Sequence, residues 1–225
     1  MEFPIIFVKV WIVIPAYNEE RNIGKVIESL RLEGWKNLLV VDDGSSDRTA
    51  EIARRKGAEV IVHSKNLGLG AALRTGFERA LELGAEAVVT FDADGQHEVK
   101  DVRRLVEGLR GADVVIGARR SVGIPLHKRF GNFALNVLTF MLTGIYTDSQ
   151  SGSRALSRKA LQELKLRGER YEISSEILLR LSQAGLKWRE IPVTCYYPPH
   201  AKAKGTTILS GIRIFLKLLS LRLAR

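Results

Sequence analysis

The chain has 225 residues, enough for one well-buried α/β domain, and its 45% hydrophobic and 27% charged content excludes a disordered polymer. A formal net charge of +10 points to an anionic partner (nucleic acid, a phosphate-rich substrate or an anionic membrane surface), and a single cysteine excludes an internal disulfide. The apolar N-terminal stretch is broken by Pro4, Lys9 and Pro15, and no uninterrupted apolar run reaches the roughly 18 residues that span a bilayer, so the expectation is a soluble or peripheral protein.

In chain order, β-branched runs at 8–14, 38–42, 59–63, 87–92 and 114–118 read as buried strands. Helical spacing fills the intervals. Ile23, Val26, Ile27 and Leu30 form one stripe, and Ile52 and Ala53 follow Asp47 as N-cap and close at Gly57. Leu69, Leu73, Phe77, Ala80 and Leu81 end at Gly84, and Val99, Val102, Leu105, Val106 and Leu109 end at Gly111. Such alternation predicts a mostly parallel sheet with helices on both faces.

The second half changes character. Residues 132–146 are mainly apolar and follow the basic His127, Lys128 and Arg129. A helix is expected over 173–184 and a strand over 188–196, with Cys195 a small strand residue and not a nucleophile. Residues 196–205 read as a loop. The tail 208–225 reads as an amphipathic helix, with Ile208, Ile212, Phe215, Leu216, Leu219 and Leu223 on one side and Arg213, Lys217 and Ser220 opposite. The expected division is a catalytic domain over 1–207 and the tail helix over 208–225.

In sheets of this class, ligands sit beyond the carboxyl ends of the strands. Polar clusters fall at those ends: Pro15-Ala16-Tyr17-Asn18-Glu19, the acidic run from Asp42 to Asp47, Asp92-Ala93-Asp94-Gly95-Gln96, and Arg119-Arg120. Asp92 and Asp94 directly follow an apolar run, and a turn there brings both carboxylates onto one cation. Oxygen donors suit Mg²⁺ or Mn²⁺, with Gln96 a further neutral contact. Asp42 and Asp43 could accept from a nucleobase edge or a ribose hydroxyl, whereas Asp47 is explained as a cap. Asn66-Leu67-Gly68-Leu69-Gly70 opens a helix, as a phosphate loop does, but close helix packing explains its glycines equally well.

Together with Asp148-Ser149-Gln150-Ser151-Gly152-Ser153-Arg154, these motifs in this order resemble the inverting family 2 glycosyltransferases. The nearest pattern is that of the dolichol-phosphate mannose synthase and polyprenyl-phosphate glucose synthase group. The resemblance covers roughly residues 8–207 and implies a GT-A type, Rossmann-like fold. It also implies that Pro15, Tyr17, Glu19, Val41 and Asp43 cradle the nucleoside. Asp92, Ala93 and Asp94 would hold the diphosphate and metal, with Gln96 a further metal ligand. Arg119 would contact the sugar-phosphate region, Arg129 would face the acceptor phosphate, and Lys202 would belong to a loop that closes over the donor. Ser153 departs from the family pattern, which carries an aromatic residue there, and Ile208 stands where a basic residue is usual.

The implied reaction moves a hexose from a GDP-mannose or UDP-glucose type donor to a polyprenyl phosphate. A phosphate monoester is already largely anionic at neutral pH, so it needs cations and not a base. Arg119, Arg129 and Lys202 are those cations, and Asp148 and Glu176 are base or positioning candidates. The expected site is peripheral, on the cytoplasmic face of a membrane, with the tail helix and residues 132–146 as contacts. The alternatives are a glycan or other hydroxyl acceptor, a non-catalytic sugar-nucleotide sensor, which the intact Asp92 and Asp94 argue against, and a basic binding module. Acidic clusters in the expected cleft argue against nucleic acid.

Overall fold

The computed structural model describes residues 9–122, 126–196 and 220. In chain order the elements are β1 (Val10–Ala16), α1 (Ile23–Leu32), β2 (Leu38–Asp42), α2 (Thr49–Arg55), β3 (Glu59–Val62), α3 (Leu69–Glu82) and β4 (Ala87–Thr90). They continue with α4 (Asp101–Gly108), β5 (Val114–Val122), α5 (Leu126–Thr143), β6 (Arg154–Ser157), α6 (Arg158–Glu163), α7 (Ile173–Ala184) and β7 (Trp188–Tyr196).

The strands form one sheet in the order β3-β2-β1-β4-β6-β5-β7. Neighbours are parallel except at β6, which runs antiparallel to both β4 and β5. Side-chain alternation explains why β1 is apolar throughout. Ile12 and Ile14 enter the core beneath α1, α2 and α4, while Trp11 and Val13 enter the core beneath α3, α6 and α7. A sheet covered on both faces needs this continuous apolar run. On the second face α3 lies so close that a Cβ at Gly76 would collide with Val13 of β1.

This topology fixes where a ligand can bind. From β1 the chain passes through α1 to β2 on one side, and α3 later carries it back to β4 on the other. The strand order reverses between β1 and β4, so a crevice opens beyond their carboxyl ends.

Several boundaries differ from the sequence reading. Strand β1 extends through Pro15 and Ala16, which pair in register with Val41 and Asp42. Val13 O accepts from Phe91 N on the β4 side, so Pro15 faces the same way, past the end of β4, where its missing N–H breaks no ladder bond. Strand β5 also runs on, placing Arg119 and Arg120 inside a strand paired with β7 and not after it. Strand β6 and helix α6 were not foreseen. The tetrapeptide of β6 has no β-branched residue, and Ala155 and Leu156 are buried without a readable period. Helix α7 and strand β7 fall where the sequence puts them, and α7 ends on Gly185 in the left-handed region (φ 63°). Residues 208–225, apart from Ser220, lie outside the described residues.

Candidate active site

The loops after β1 and β2 are clasped together before any ligand arrives. Asn18 adopts φ 53°, a left-handed geometry that asparagine tolerates. Its Oδ1 accepts from Ser46 N at 2.9 Å, and its own N–H donates to Ser45 Oγ at 2.9 Å. Glu19 N donates to Thr49 Oγ1 at 2.8 Å, and Glu20 N to Asp47 Oδ2 at 3.1 Å. Asp47 Oδ1 also accepts from Thr49 N at 2.9 Å, but Arg48 occupies the N-cap position, so Asp47 holds the first turn from two residues before the helix and is not the N-cap that the sequence predicts.

Both acidic residues at the end of β2 have internal partners. Asp42 Oδ1 accepts from Ser45 N at 2.8 Å, closing an Asx turn. Asp43 accepts from Leu67 N (2.9 Å) and Gly68 N (2.7 Å), and its Oδ1 pairs with His63 Nδ1 at 2.8 Å. His63 Nε2 in turn meets Thr75 Oγ1 of α3 at 3.0 Å. The glycines of 66–70 serve packing: a Cβ at Gly68 or Gly70 would strike the backbone carbonyls of Glu169 and Gly168.

At the end of β4 the chain turns at Gly95 (φ 72°), and Gln96 N folds back onto Asp94 Oδ1 at 3.0 Å. Burial, and then the neighbouring Asp92 charge, push the Asp94 carboxyl up to about 6. Asp92 moves the other way. Burial would raise it, but the His97 hydrogen bond and charge, with Arg119 and Arg154, hold it below the usual carboxylate range. His97 Nε2 lies 3.0 Å from Asp92 Oδ2, and Ser153 Oγ lies 3.0 Å from His97 Nδ1. Gly152 packs directly on Asp92, where any Cβ would collide with both carboxylate oxygens.

Beyond β5 the cationic half of the site begins. Arg119 Nε donates to Asp148 Oδ2 at 2.6 Å and its Nη2 to Asp148 Oδ1 at 2.8 Å. Burial alone would raise the Asp148 carboxyl; the bonds and charge of Arg119, with Arg154 beyond, lower it instead. Arg154 is 1% exposed, donates to Ser149 O at 3.0 Å, and carries a buried Nε with no hydrogen-bond partner. Burial pushes its guanidinium down to about 10 despite the Asp148 and Asp92 charges.

The crevice therefore gathers Glu19, Asp92, Ala93, Asp94, Arg119 and Asp148 from separate elements. Tyr17 is 44% exposed at its rim, and Pro15 is half-buried beside it. Val41 is a correction: its side chain is fully buried in the core against α3, so only its backbone is left for a ligand. Glu176 is a second correction as a base, because it is fully buried and accepts from Arg167 N (3.0 Å) and Gly168 N (2.6 Å). Arg129 falls on α5, and its side chain, like Lys202, lies outside the described residues. Reading the sequence missed His97 and Arg154. Both had a signal in the sequence: His97 stands beside Gln96, and Arg154 closes the motif that begins at Asp148.

The donor set fits a hard divalent cation. Asp92 and Asp94 offer oxygen ligands, their mutual crowding is relieved by positive charge, and His97 holds Asp92 from behind, as partners of ligating carboxylates do. Among the described residues no three acidic, histidine or cysteine side chains are grouped to enclose a metal. Mg²⁺ is commonly held by one or two carboxylates together with substrate phosphates, a shell to which Asp92 and Asp94 could contribute.

A mixed sheet with an acidic pair at its switch point and a basic half beyond defines a nucleotide-sugar transferase of GT-A type. The chain belongs to the family described as Glycosyl transferase family 2, whose profile matches residues 11–165, and it is a glycosyltransferase. It is 37% identical over 243 residues to the UDP-N-acetylglucosamine–dolichyl-phosphate N-acetylglucosaminyltransferase of Methanococcus voltae, covering 96% of this chain and 97% of that protein. It is 31% identical over 201 residues to the undecaprenyl-phosphate mannosyltransferase of Micrococcus luteus, covering 83% of each. Its fold matches glucosyl-3-phosphoglycerate synthase from Mycobacterium tuberculosis, solved with Mn²⁺, UDP and glucosyl-3-phosphoglycerate. There the TM-score is 0.71 at 23% identity, over 95% of this chain and 79% of that one.

Proposed function

We propose that the chain transfers a sugar, with inversion, from a nucleotide diphosphate-sugar to a polyprenyl phosphate, using Mg²⁺ or Mn²⁺ held by Asp92 and Asp94. The observation that carries this reading is the Asp92–Asp94 pair at the switch point, set opposite the Arg119–Asp148 pair. Two relatives whose names specify a dolichyl or undecaprenyl phosphate support the acceptor.

Each residue then has a task. Tyr17, Glu19 and the rim near Pro15 receive the nucleoside, and Asp43 shapes that wall through its bonds to Leu67 and Gly68. A bound divalent cation supplies charge neutralisation at the departing diphosphate. Arg119, fixed by Asp148, faces the developing charge with its guanidinium already oriented, so no reorganisation is needed at reaction. Asp148 is bonded through both oxygens and held low, which suits an orienting group and not a base. That agrees with a phosphate acceptor, whose attacking oxygen is already anionic. Arg129 and Lys202 are assigned to the acceptor phosphate and the donor-closing loop, and Gln96 to the metal.

In this reading the protein works peripherally at the cytoplasmic face of a membrane. No helix among the described residues is long and apolar enough to cross a bilayer. Exposed Phe133, Phe140 and Tyr146 at α5, the +10 charge and the tail 208–225 are the proposed contacts. The acceptor is tested by offering a short polyprenyl phosphate, the corresponding polyprenol and a soluble sugar with the same donor. Product only from the phosphate supports the proposal; transfer to the soluble sugar alone replaces it with a hydroxyl-acceptor enzyme.

A further inference from the structure

We propose that Ser153 and His97 are positioning residues that fix the Asp92 carboxylate in the orientation a divalent cation requires. The inference rests on the metal-dependent reading of the site. Among the described residues, the hydrogen bond from His97 Nε2, at 3.0 Å, is the only one on the Asp92 carboxylate. The last torsion of a carboxylate is broad and two-fold, so packing against Gly152 alone does not choose which oxygen faces a cation. The Asp92 side chain is 34% exposed, whereas its partner His97 is 5% exposed. The imidazole is wedged edge-on against Phe91, with ring centroids 6.0 Å apart.

Ser153 is anchored on rigid structure. Its carbonyl accepts from Gly117 N of β5 at 2.9 Å, and its own N–H donates to Ser151 Oγ at 3.3 Å. Its hydroxyl then holds His97 Nδ1 at 3.0 Å. The relay works in both protonation states of the ring. With a neutral ring, the serine O–H donates to Nδ1 and the ring proton sits on Nε2, where it donates to Asp92. With a charged ring, Nδ1–H donates to Ser153 Oγ and Nε2–H still donates to Asp92. In both of these states Asp92 Oδ2 receives a donor, and Gly152 packs against the same carboxylate.

The test measures Mn²⁺ affinity and not turnover, by the electron paramagnetic resonance of free Mn²⁺ during titration. Wild type and the variants Ser153→Ala, His97→Ala, His97→Gln and the double alanine are titrated with saturating UDP or GDP, whichever wild type binds. Outer partners of metal ligands are typically worth about 10- to 100-fold in affinity. The expected result is about tenfold weaker Mn²⁺ binding for Ser153→Ala and a larger loss for His97→Ala. The double variant should be no weaker than His97→Ala, because serine acts only through the ring. His97→Gln, which keeps an amide donor near Nε2, should recover most of the affinity. Unchanged affinity in both single variants, or additive losses in the double, overturns the proposal. Wild type that takes up no Mn²⁺ with either nucleotide overturns the metal-dependent donor site itself, and the relay with it.

Discussion

Arg119 and Asp148 form a two-pronged ion pair at the open edge of β5, and the backbone N–H of Arg119 adds a third bond to Asp148 Oδ2 at 3.2 Å. Both side chains are 15% exposed, so the pair is screened little by solvent. Its geometry leaves Asp148 no free role as a base and gives Arg119 one fixed direction. Asp148→Asn should therefore lower kcat by about 100-fold, the size of effect expected from misplacing a catalytic group by about an ångström. The pH–rate profile should keep its shape. Loss of its acidic limb in Asp148→Asn would reveal a base instead.

The pH dependence of stability tests the acidic pair. Asp94 has a folded value of about 6 against an ordinary value of 3.8. Between those values the folded chain holds a proton that the unfolded chain has released, so this group's contribution to stability falls as pH rises through that window. Metal-free wild type should thus lose melting temperature relative to Asp94→Asn between about pH 4 and 6. A cation competes with the same proton, so Mn²⁺ binding should weaken below about pH 6. A wild-type minus Asp94→Asn difference that is flat with pH would contradict the burial of Asp94 beside the charged Asp92.

Gly152 is required for contact and not for backbone freedom. A methyl group there would occupy the position of the Asp92 carboxylate. Gly152→Ala should abolish Mn²⁺-dependent nucleotide binding while circular dichroism shows the fold retained. Normal metal binding by this variant would mean that Asp92 is not held where the structure puts it.

Glu176 tests the separation of stability from chemistry. Its carboxylate satisfies the buried N–H of Gly168 and the part-buried N–H of Arg167, and an orphaned buried donor costs about 1–3 kcal/mol. Glu176→Ala should lower the unfolding free energy by about 3 kcal/mol in urea titrations. Below its melting transition it should retain turnover within a few-fold. Complete inactivity of the folded variant would restore a catalytic role.

Much of this was legible in the chain. Continuous apolar runs such as Leu38–Asp42 and stripes such as Ile23, Val26, Ile27 and Leu30 carry the doubly covered sheet in their spacing. The position of Asp92 and Asp94 beyond the end of β4 was readable because they directly follow an apolar run. What stayed hidden depends on contacts distant in sequence. The antiparallel β6 is held by register with β4 and β5, not by its own four residues. The internal use of Asp42 and Asp43 follows from Ser45, His63, Leu67 and Gly68 closing over them. Val41 shows the limit of position-by-position transfer, since the motif does not tell that its side chain is buried in the core against α3.

The central claim is tested most directly by turnover with defined substrates. Purified protein with Mn²⁺ or Mg²⁺ and a short polyprenyl phosphate is offered a panel of GDP- and UDP-sugars, and lipid-linked sugar is scored by mass spectrometry. Product is expected from one donor class, dependent on the metal and lost in Asp94→Ala. No metal-dependent binding of any nucleotide sugar, or undiminished product in Asp94→Ala, would contradict it.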